Sequence, residues 1–313
     1  MLDPQARALI DLMVARQVPP VHTLTPQDAR RMYLERRGFT QPVPPLVGEV
    51  RGLQTDTGVP LRLYRPQSLG VKPVLVYLHG GGWTMGDLDT HDVLCRQLCA
   101  AADVAVVAVD YRLGPEHRFP AAVDDCLAAT RWVRQQAAGL GLDATRLALG
   151  GDSAGGNLAA VTALLMRDAG DAPVACQLLI YPATDMRCEA PSHTHNGQGY
   201  MLTSDSVNYF RAQYIAHESQ WADWRASPLL APDLSRLPPA LVLTAGYDPL
   251  RDEGLQYADA LSAAGNRVQY ICFERQIHGF ITMGRVIDEA HTAVALCAAV
   301  LRDAFKTRLA ATA

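Results

Sequence analysis

The 313-residue sequence has no apolar run long enough to cross a bilayer. Its longest, Ala293–Leu301, is nine residues, and a spanning helix needs about 20. Asp3, Arg7, Asp11 and Arg16 interrupt the amino-terminal residues and break up any secretory h-region. The expectation is a cytoplasmic chain without stable membrane insertion. An excess of basic charge is also missing: Lys+Arg number 28 and Asp+Glu 32, a net charge of −4. Nucleic acid is therefore excluded as an expected partner. Paired C-x-x-C spacing is absent from the seven cysteines, Cys95, Cys99, Cys126, Cys176, Cys188, Cys272 and Cys297, so they read as buried free thiols. Repeats and low-complexity tracts are absent too. Aromatics are only 7% of residues, but apolar residues reach 49%, enough for a sizeable core.

What is present is a rhythm of strand-length apolar runs separated by helical patterns, which signals a mostly parallel sheet with helices on both faces. The runs are Val74–Leu78, Val104–Val109, Leu147–Leu149, Cys176–Ile180, Ala240–Thr244 and Val268–Phe273. Val47–Leu53 and Leu61–Tyr64 flank Thr57-Gly58 and suggest an antiparallel hairpin at one edge, for about eight strands in all. Near the carboxyl end, Val286, Ala290, Ala293, Cys297, Val300 and Ala304 trace one helix face.

Two segments break the rhythm. Residues 1–45 hold two short amphipathic patterns and end in a Pro-rich stretch. Residues 186–226 gather Tyr200, Met201, Tyr209, Phe210, Tyr214, Trp221 and Trp224 among polar residues. Both are expected to form a cap over a core made of residues 46–185 and 227–313.

Gly151-Asp152-Ser153-Ala154-Gly155 lies between a strand and a helical pattern, the strand-turn-helix context that G-x-S-x-G requires. It places Ser153 on a nucleophile elbow, where glycines let the backbone pass close to its neighbours. His79-Gly80-Gly81-Gly82-Trp83 follows the strand Val74–Leu78, and its backbone N–H groups suit an oxyanion hole. The P-loop pattern G-x-x-x-x-G-K-[ST] is absent, and neither Gly cluster has the dinucleotide form. A serine hydroxyl needs a base, and the base an acid to orient it. Asp248 follows the strand Ala240–Thr244 and His278 follows Val268–Phe273. Asp252 and Glu253 compete for the acid role, but they fall one turn into the next helix and read as first-turn charges there. Among other histidines beyond Ser153, His193, His195 and His217 lie in the cap and His291 in the last helix.

These motifs, with Tyr111-Arg112-Leu113-Gly114-Pro115-Glu116-His117 and Asp248-Pro249-Leu250-Arg251-Asp252-Glu253, make the chain resemble the bacterial hormone-sensitive-lipase-like (family IV) carboxylesterases of the α/β-hydrolase superfamily. The resemblance implies Ser153 as nucleophile, Asp248 as acid and His278 as base. It implies an oxyanion hole from the N–H groups of Gly81, Gly82 and Ala154, a helical cap, and no cofactor or metal. One position departs from the family pattern: Gly114 stands where Ala is usual, and a small effect on local rigidity is expected. Arg112, Glu116 and Asp124 are read as loop supports, as is His79. Cys188, His193 and His195 match no standard zinc spacing.

The expected reaction is acyl transfer from a carboxylic ester to water, faster as the imidazole loses its proton. Trp83, Asp152, Tyr181, Met201, Tyr209 and Phe210 are the expected substrate-binding residues, and a closed apolar pocket suits short or medium acyl chains. The same groups would serve an amidase, lactonase or carbamate hydrolase. A non-catalytic ligand receptor of the same fold is a further alternative, against which the presence of His278 speaks. An edge strand at Val268–Phe273 beside an apolar helix leads to the expectation of a homodimer.

Overall fold

The computed structural model describes residues 1–306. In chain order the elements are α1 (Pro4–Ala15), α2 (Pro26–Thr40), β1 (Glu49–Gln54), β2 (Pro60–Arg65), β3 (Lys72–Leu78), α3 (Asp92–Ala102), β4 (Ala105–Val109), α4 (Ala121–Gln136), β5 (Leu142–Asp152), α5 (Ala154–Asp168), β6 (Gln177–Ile180), α6 (Ser192–His195), α7 (Ser204–Tyr214), β7 (Ala240–Tyr247), α8 (Arg251–Ala263), β8 (Val268–Ile277) and α9 (Glu289–Lys306). The strands form one eight-stranded sheet in the order β1-β2-β4-β3-β5-β6-β7-β8. Pairing is antiparallel from β1 to β2 and from β2 to β4, and parallel across the rest. The mostly parallel α/β-hydrolase sheet and its edge hairpin are as the sequence leads one to expect.

Strands β3 and β4 are buried along their whole length because helices cover both faces, which is why they read as unbroken apolar runs. Their side chains still alternate. Val74, Val76 and Leu78 join the cluster beneath α4, α5 and α8 with Val123, Leu158 and Tyr257, while Leu75 and Tyr77 join Leu94, Leu98, Ala293 and Leu301 of α3 and α9.

The buried face of α9 is Ala290, Ala293, Val294, Cys297, Ala298, Leu301 and Phe305. Val286 precedes the helix, and the core-facing stripe is rotated from the expected one toward Ala298, Leu301 and Phe305.

Each of the two segments outside the rhythm divides between a main core cluster and a smaller one. In residues 1–45, α1 packs Leu2, Ala6 and Leu9 into the cluster that holds α9, and Asp3 N–H donates to Arg275 O at 2.9 Å. Helix α2, by contrast, brings Ala29 and Tyr33 to Met85, Leu202, Phe210 and Leu250. That small cluster joins the amino-terminal segment, the loop after β3 and α7. Trp221 and Trp224 pack against the larger core instead.

Strand β3 has β4 on one side and β5 on the other, so successive crossovers leave it in opposite directions. A crevice at the carboxyl ends of the strands is the usual consequence. His79, Ser153, Asp248 and His278 are the residues immediately after β3, β5, β7 and β8.

Candidate active site

Ser153 stands between the end of β5 and the start of α5 with φ 56° and ψ −119°, a strained conformation for a residue with a side chain. Close packing holds it there. A Cβ on Gly151 or on Gly155 would overlap the Leu78 carbonyl, so the strand-to-helix turn passes its neighbours only with glycine. The Ser153 N–H is engaged by Ile180 O at 2.8 Å, which leaves the hydroxyl to project at the sheet edge.

His278 connects Ser153 to Asp248. Its Nε2 lies 2.9 Å from Ser153 Oγ and its Nδ1 lies 2.7 Å from Asp248 Oδ2. The imidazole is 12% exposed and Asp248 is fully buried. Asp248 Oδ1 also accepts from Leu250 N–H at 2.9 Å, which fixes the carboxylate's orientation. Tyr181 packs on the ring at 4.7 Å between centroids. Burial pushes its phenol well above the ordinary range, so Tyr181 stays neutral.

The loop after β3 turns sharply: φ is 130° at Gly81 and 60° at Gly82. Thr84 and Met85 N–H groups both donate to Gly81 O. Among the described residues, the N–H groups of Gly81, Gly82 and Ala154 have no acceptor in the protein, and Ala154 opens α5, where first-turn donors are free. Asp152 braces this loop from below. Its Oδ1 accepts from Tyr77 O–H at 2.8 Å and from Gly80 N–H at 3.0 Å, and His91 Nε2 lies 3.2 Å away. Burial opposes the charge on Asp152, but His91, Tyr77 and Gly80 outweigh it and hold the carboxyl below its usual range. His79 stacks on Tyr111 at 4.3 Å. Its Nδ1 is 2.9 Å from Gly80 O, and burial lowers its pKa to about 4, so it is neutral near pH 7.

The expected substrate-binding residues therefore separate. Phe210 of α7 lies against Gly82, where a Cβ would overlap its ring, and Tyr209 packs beside Phe210 at 5.5 Å. Met201 is half-buried next to Arg36. Asp152 is a correction: it is 3% exposed, and its polar partners are Tyr77, Gly80 and His91. Trp83 is another, because it stacks on Tyr214 at 4.7 Å with ring planes 3° apart and sits in the main core with Phe119 and Ile215.

Among the loop supports, Arg112 forks onto Asp125 at 2.8–3.1 Å, and the neighbouring Asp124 is exposed. One residue along a helix turns a side chain by about 100°, so the carboxylate that supports this loop is Asp125, while Asp124, expected in that role, faces outward. Glu116 meets Arg30 of α2 at 2.6 Å. The same arginine donates to Thr84 O and Gly114 O, each at 2.8 Å, tying α2 to the loop after β3. Gly114 is required by contact: a Cβ there would come 2.6 Å from Gln213 O at the end of α7.

Glu253 does more than serve the first turn of α8. It is 1% exposed, accepts from Thr184 N–H at 2.6 Å, and faces His193 Nε2 at 2.6 Å. Burial raises its pKa while His193 draws it back. No local pattern marks this pair, since its members are 60 residues apart.

Residues 75–282 match the model of the alpha/beta hydrolase fold family. The chain is 40% identical over 313 residues to carboxylesterase NlhH of Mycobacterium tuberculosis strain H37Rv, an alignment covering 97% of this chain and 96% of that protein. It is 39% identical over 315 residues to the ethyl acetate hydrolase of Pseudomonas putida, covering 96% and 99% respectively. It superposes with a TM-score of 0.94 and 43% identity on an ester hydrolase from the metagenome of Lake Arreo, Spain, solved with a bipyridine phosphonate derivative, over 98% of this chain and all of that one.

Proposed function

Because the chain belongs to the hormone-sensitive-lipase-like branch of the α/β hydrolases and is a carboxylic ester hydrolase, we propose that Ser153, His278 and Asp248 form its catalytic triad, acting on short- to medium-chain esters. The observation that carries this is the bridge made by one imidazole, 2.9 Å from Ser153 Oγ and 2.7 Å from Asp248 Oδ2. His278 Nε2 takes the hydroxyl proton as Oγ attacks the ester carbonyl. Nδ1–H donates to Asp248, which holds the tautomer and stabilises the imidazolium. The carbonyl oxygen becomes an oxyanion, and the unused N–H donors of Gly81, Gly82 and Ala154 are suited to receive it. His278 then protonates the departing alcohol. Water repeats the sequence on the acyl-enzyme and regenerates Ser153.

The short-chain preference rests on the apolar cluster of Met85, Leu202, Phe210 and Leu250 with Tyr33, Val207 and Tyr209, which closes over Gly82. The relative named ethyl acetate hydrolase agrees with it. We assign the same chain a cytoplasmic location and a dimer contact at the open edge of β8 beside α9; a monomeric mass in light scattering at micromolar concentration would refute the dimer.

A fluorophosphonate should label Ser153 stoichiometrically in the folded protein, and Ser153→Ala should abolish both labelling and p-nitrophenyl acetate hydrolysis. Labelling that persists in Ser153→Ala, or an acyl optimum at sixteen carbons, would overturn the assignment or its chain-length clause respectively.

A further inference from the structure

Helix α6 is a single turn of the segment 186–226, yet two of its neighbouring side chains hold the backbone around Asp248. Asn196 Nδ2 donates to both Gly246 O and Asp248 O, each at 3.1 Å. Ser192 Oγ donates to Pro249 O at 2.5 Å and accepts from Asp252 N–H at 3.1 Å. Two carbonyls of the loop between β7 and α8, and that of Gly246 near the end of β7, are thus met from one turn of chain. Ser192 is fully buried and Asn196 is 6% exposed, so water does not readily replace either donor. The turn is itself anchored. His193 faces Glu253 at 2.6 Å, Ser204 Oγ donates to His193 O at 2.8 Å, and Ser204 opens α7, the helix that carries Phe210 onto Gly82.

We propose that Asn196 is a positioning residue for Asp248, clamping the acid loop to the segment that roofs the site. This rests on the triad assignment above. Arg251 Nη1 also reaches Gly246 O, at 3.3 Å, and Arg251 N–H donates to Asp248 O at 3.2 Å, but the side-chain hydrogen bond that reaches Asp248 O from the segment 186–226 comes from Asn196. Loss of that donor loosens the peptide that sets the direction of the carboxylate toward His278. Small misplacements of a catalytic group cost on the order of tenfold to a hundredfold in rate. The clamp therefore acts on kcat, through Asp248, and leaves ester binding alone.

The test is a double-mutant cycle read with p-nitrophenyl acetate, using Asn196→Ala, Asp248→Asn and the double variant, each checked for cooperative thermal unfolding. Asn196→Ala should lower kcat about tenfold or more with KM within about twofold. In the Asp248→Asn background it should cost less than about twofold further, because groups acting as one unit are non-additive. An undiminished kcat in Asn196→Ala, or an equal loss in both backgrounds, overturns the clamp while the triad stands. An undiminished kcat in Asp248→Asn overturns the triad and the clamp together. Should Asn196→Ala fail to fold, Asn196→Leu keeps most of the side-chain volume, removes the donor without adding charge, and is read by the same cycle.

Discussion

Phe210 lies on the α-carbon of Gly82, so close that a methyl group at residue 82 would occupy the ring. Gly82 has φ 60° and its N–H faces no protein acceptor, and Phe210 is 8% exposed. The ring therefore bounds the space beside the N–H groups proposed as oxyanion donors. Phe210→Ala should let longer acyl chains bury there. Two further methylenes are worth about 1.6 kcal/mol, roughly tenfold in kcat/KM for a hexanoate over a butyrate ester relative to the unaltered protein. An acyl-length series measures it, and an unchanged ratio would remove Phe210 from the acyl wall.

Asp152 and substrate make opposite demands on the same carboxylate. As a brace, it accepts from Gly80 N–H and Tyr77 O–H; as a substrate contact, it would need a free oxygen in the crevice. Asp152→Ala should leave those donors unpaired, loosen the oxyanion loop and lower kcat by about tenfold to a hundredfold with KM little changed. Steady-state kinetics decide between the roles: a raised KM at constant kcat would return Asp152 to the substrate.

The strand-turn-helix at Ser153, the glycine loop after β3 and the places of Asp248 and His278 at strand ends were legible because each is written locally, as an apolar run followed at once by its glycine, acid or histidine. The strands are longer than their apolar runs. β8 continues through Glu274 and Arg275 to Ile277 because an edge strand tolerates polar side chains, and β5 begins at Leu142, well ahead of Leu147. What the sequence concealed is pairing across distance. Arg112 selects Asp125 over Asp124 by helix phase, Glu253 finds His193, and Asn196 finds Asp248, and none of these choices leaves a trace in spacing. Trp83 was misread for a related reason: an aromatic beside an oxyanion motif looks like a pocket wall until Tyr214 is seen stacked on it.

The thiols are expected to be bystanders. Burial pushes Cys99, Cys176, Cys188 and Cys297 up to about 12 and raises Cys95, Cys126 and Cys272 as well. A thiol so protonated near pH 7 reacts slowly, since the thiolate is the nucleophile. Iodoacetamide at pH 7.5 should leave most esterase activity intact over an hour-scale incubation, with intact mass showing little alkylation. Rapid single-site alkylation with parallel loss of activity in folded protein would contradict this.

Asp110, immediately after β4, contributes a pH-dependent part of the stability. Burial pushes its carboxyl up to about 6, Asp87 and Asp89 add to the shift, and Arg62 opposes it. An unfolded chain holds the same proton only to about pH 3.9. Between these values the folded state binds more protons, so the stability this group contributes is complete below pH 4 and is lost as pH rises through 6. Above that, the folded protein carries an ionised carboxylate in a poor environment. Asp110→Asn removes the ionisation. After allowance for partial exposure to water, it should stabilise by about 1–2 kcal/mol at pH 8 and by almost nothing at pH 4. Thermal unfolding of both proteins at the two pH values measures the difference. A gain that is equal at both, or larger at pH 4, would show that Asp110 is not the group responsible.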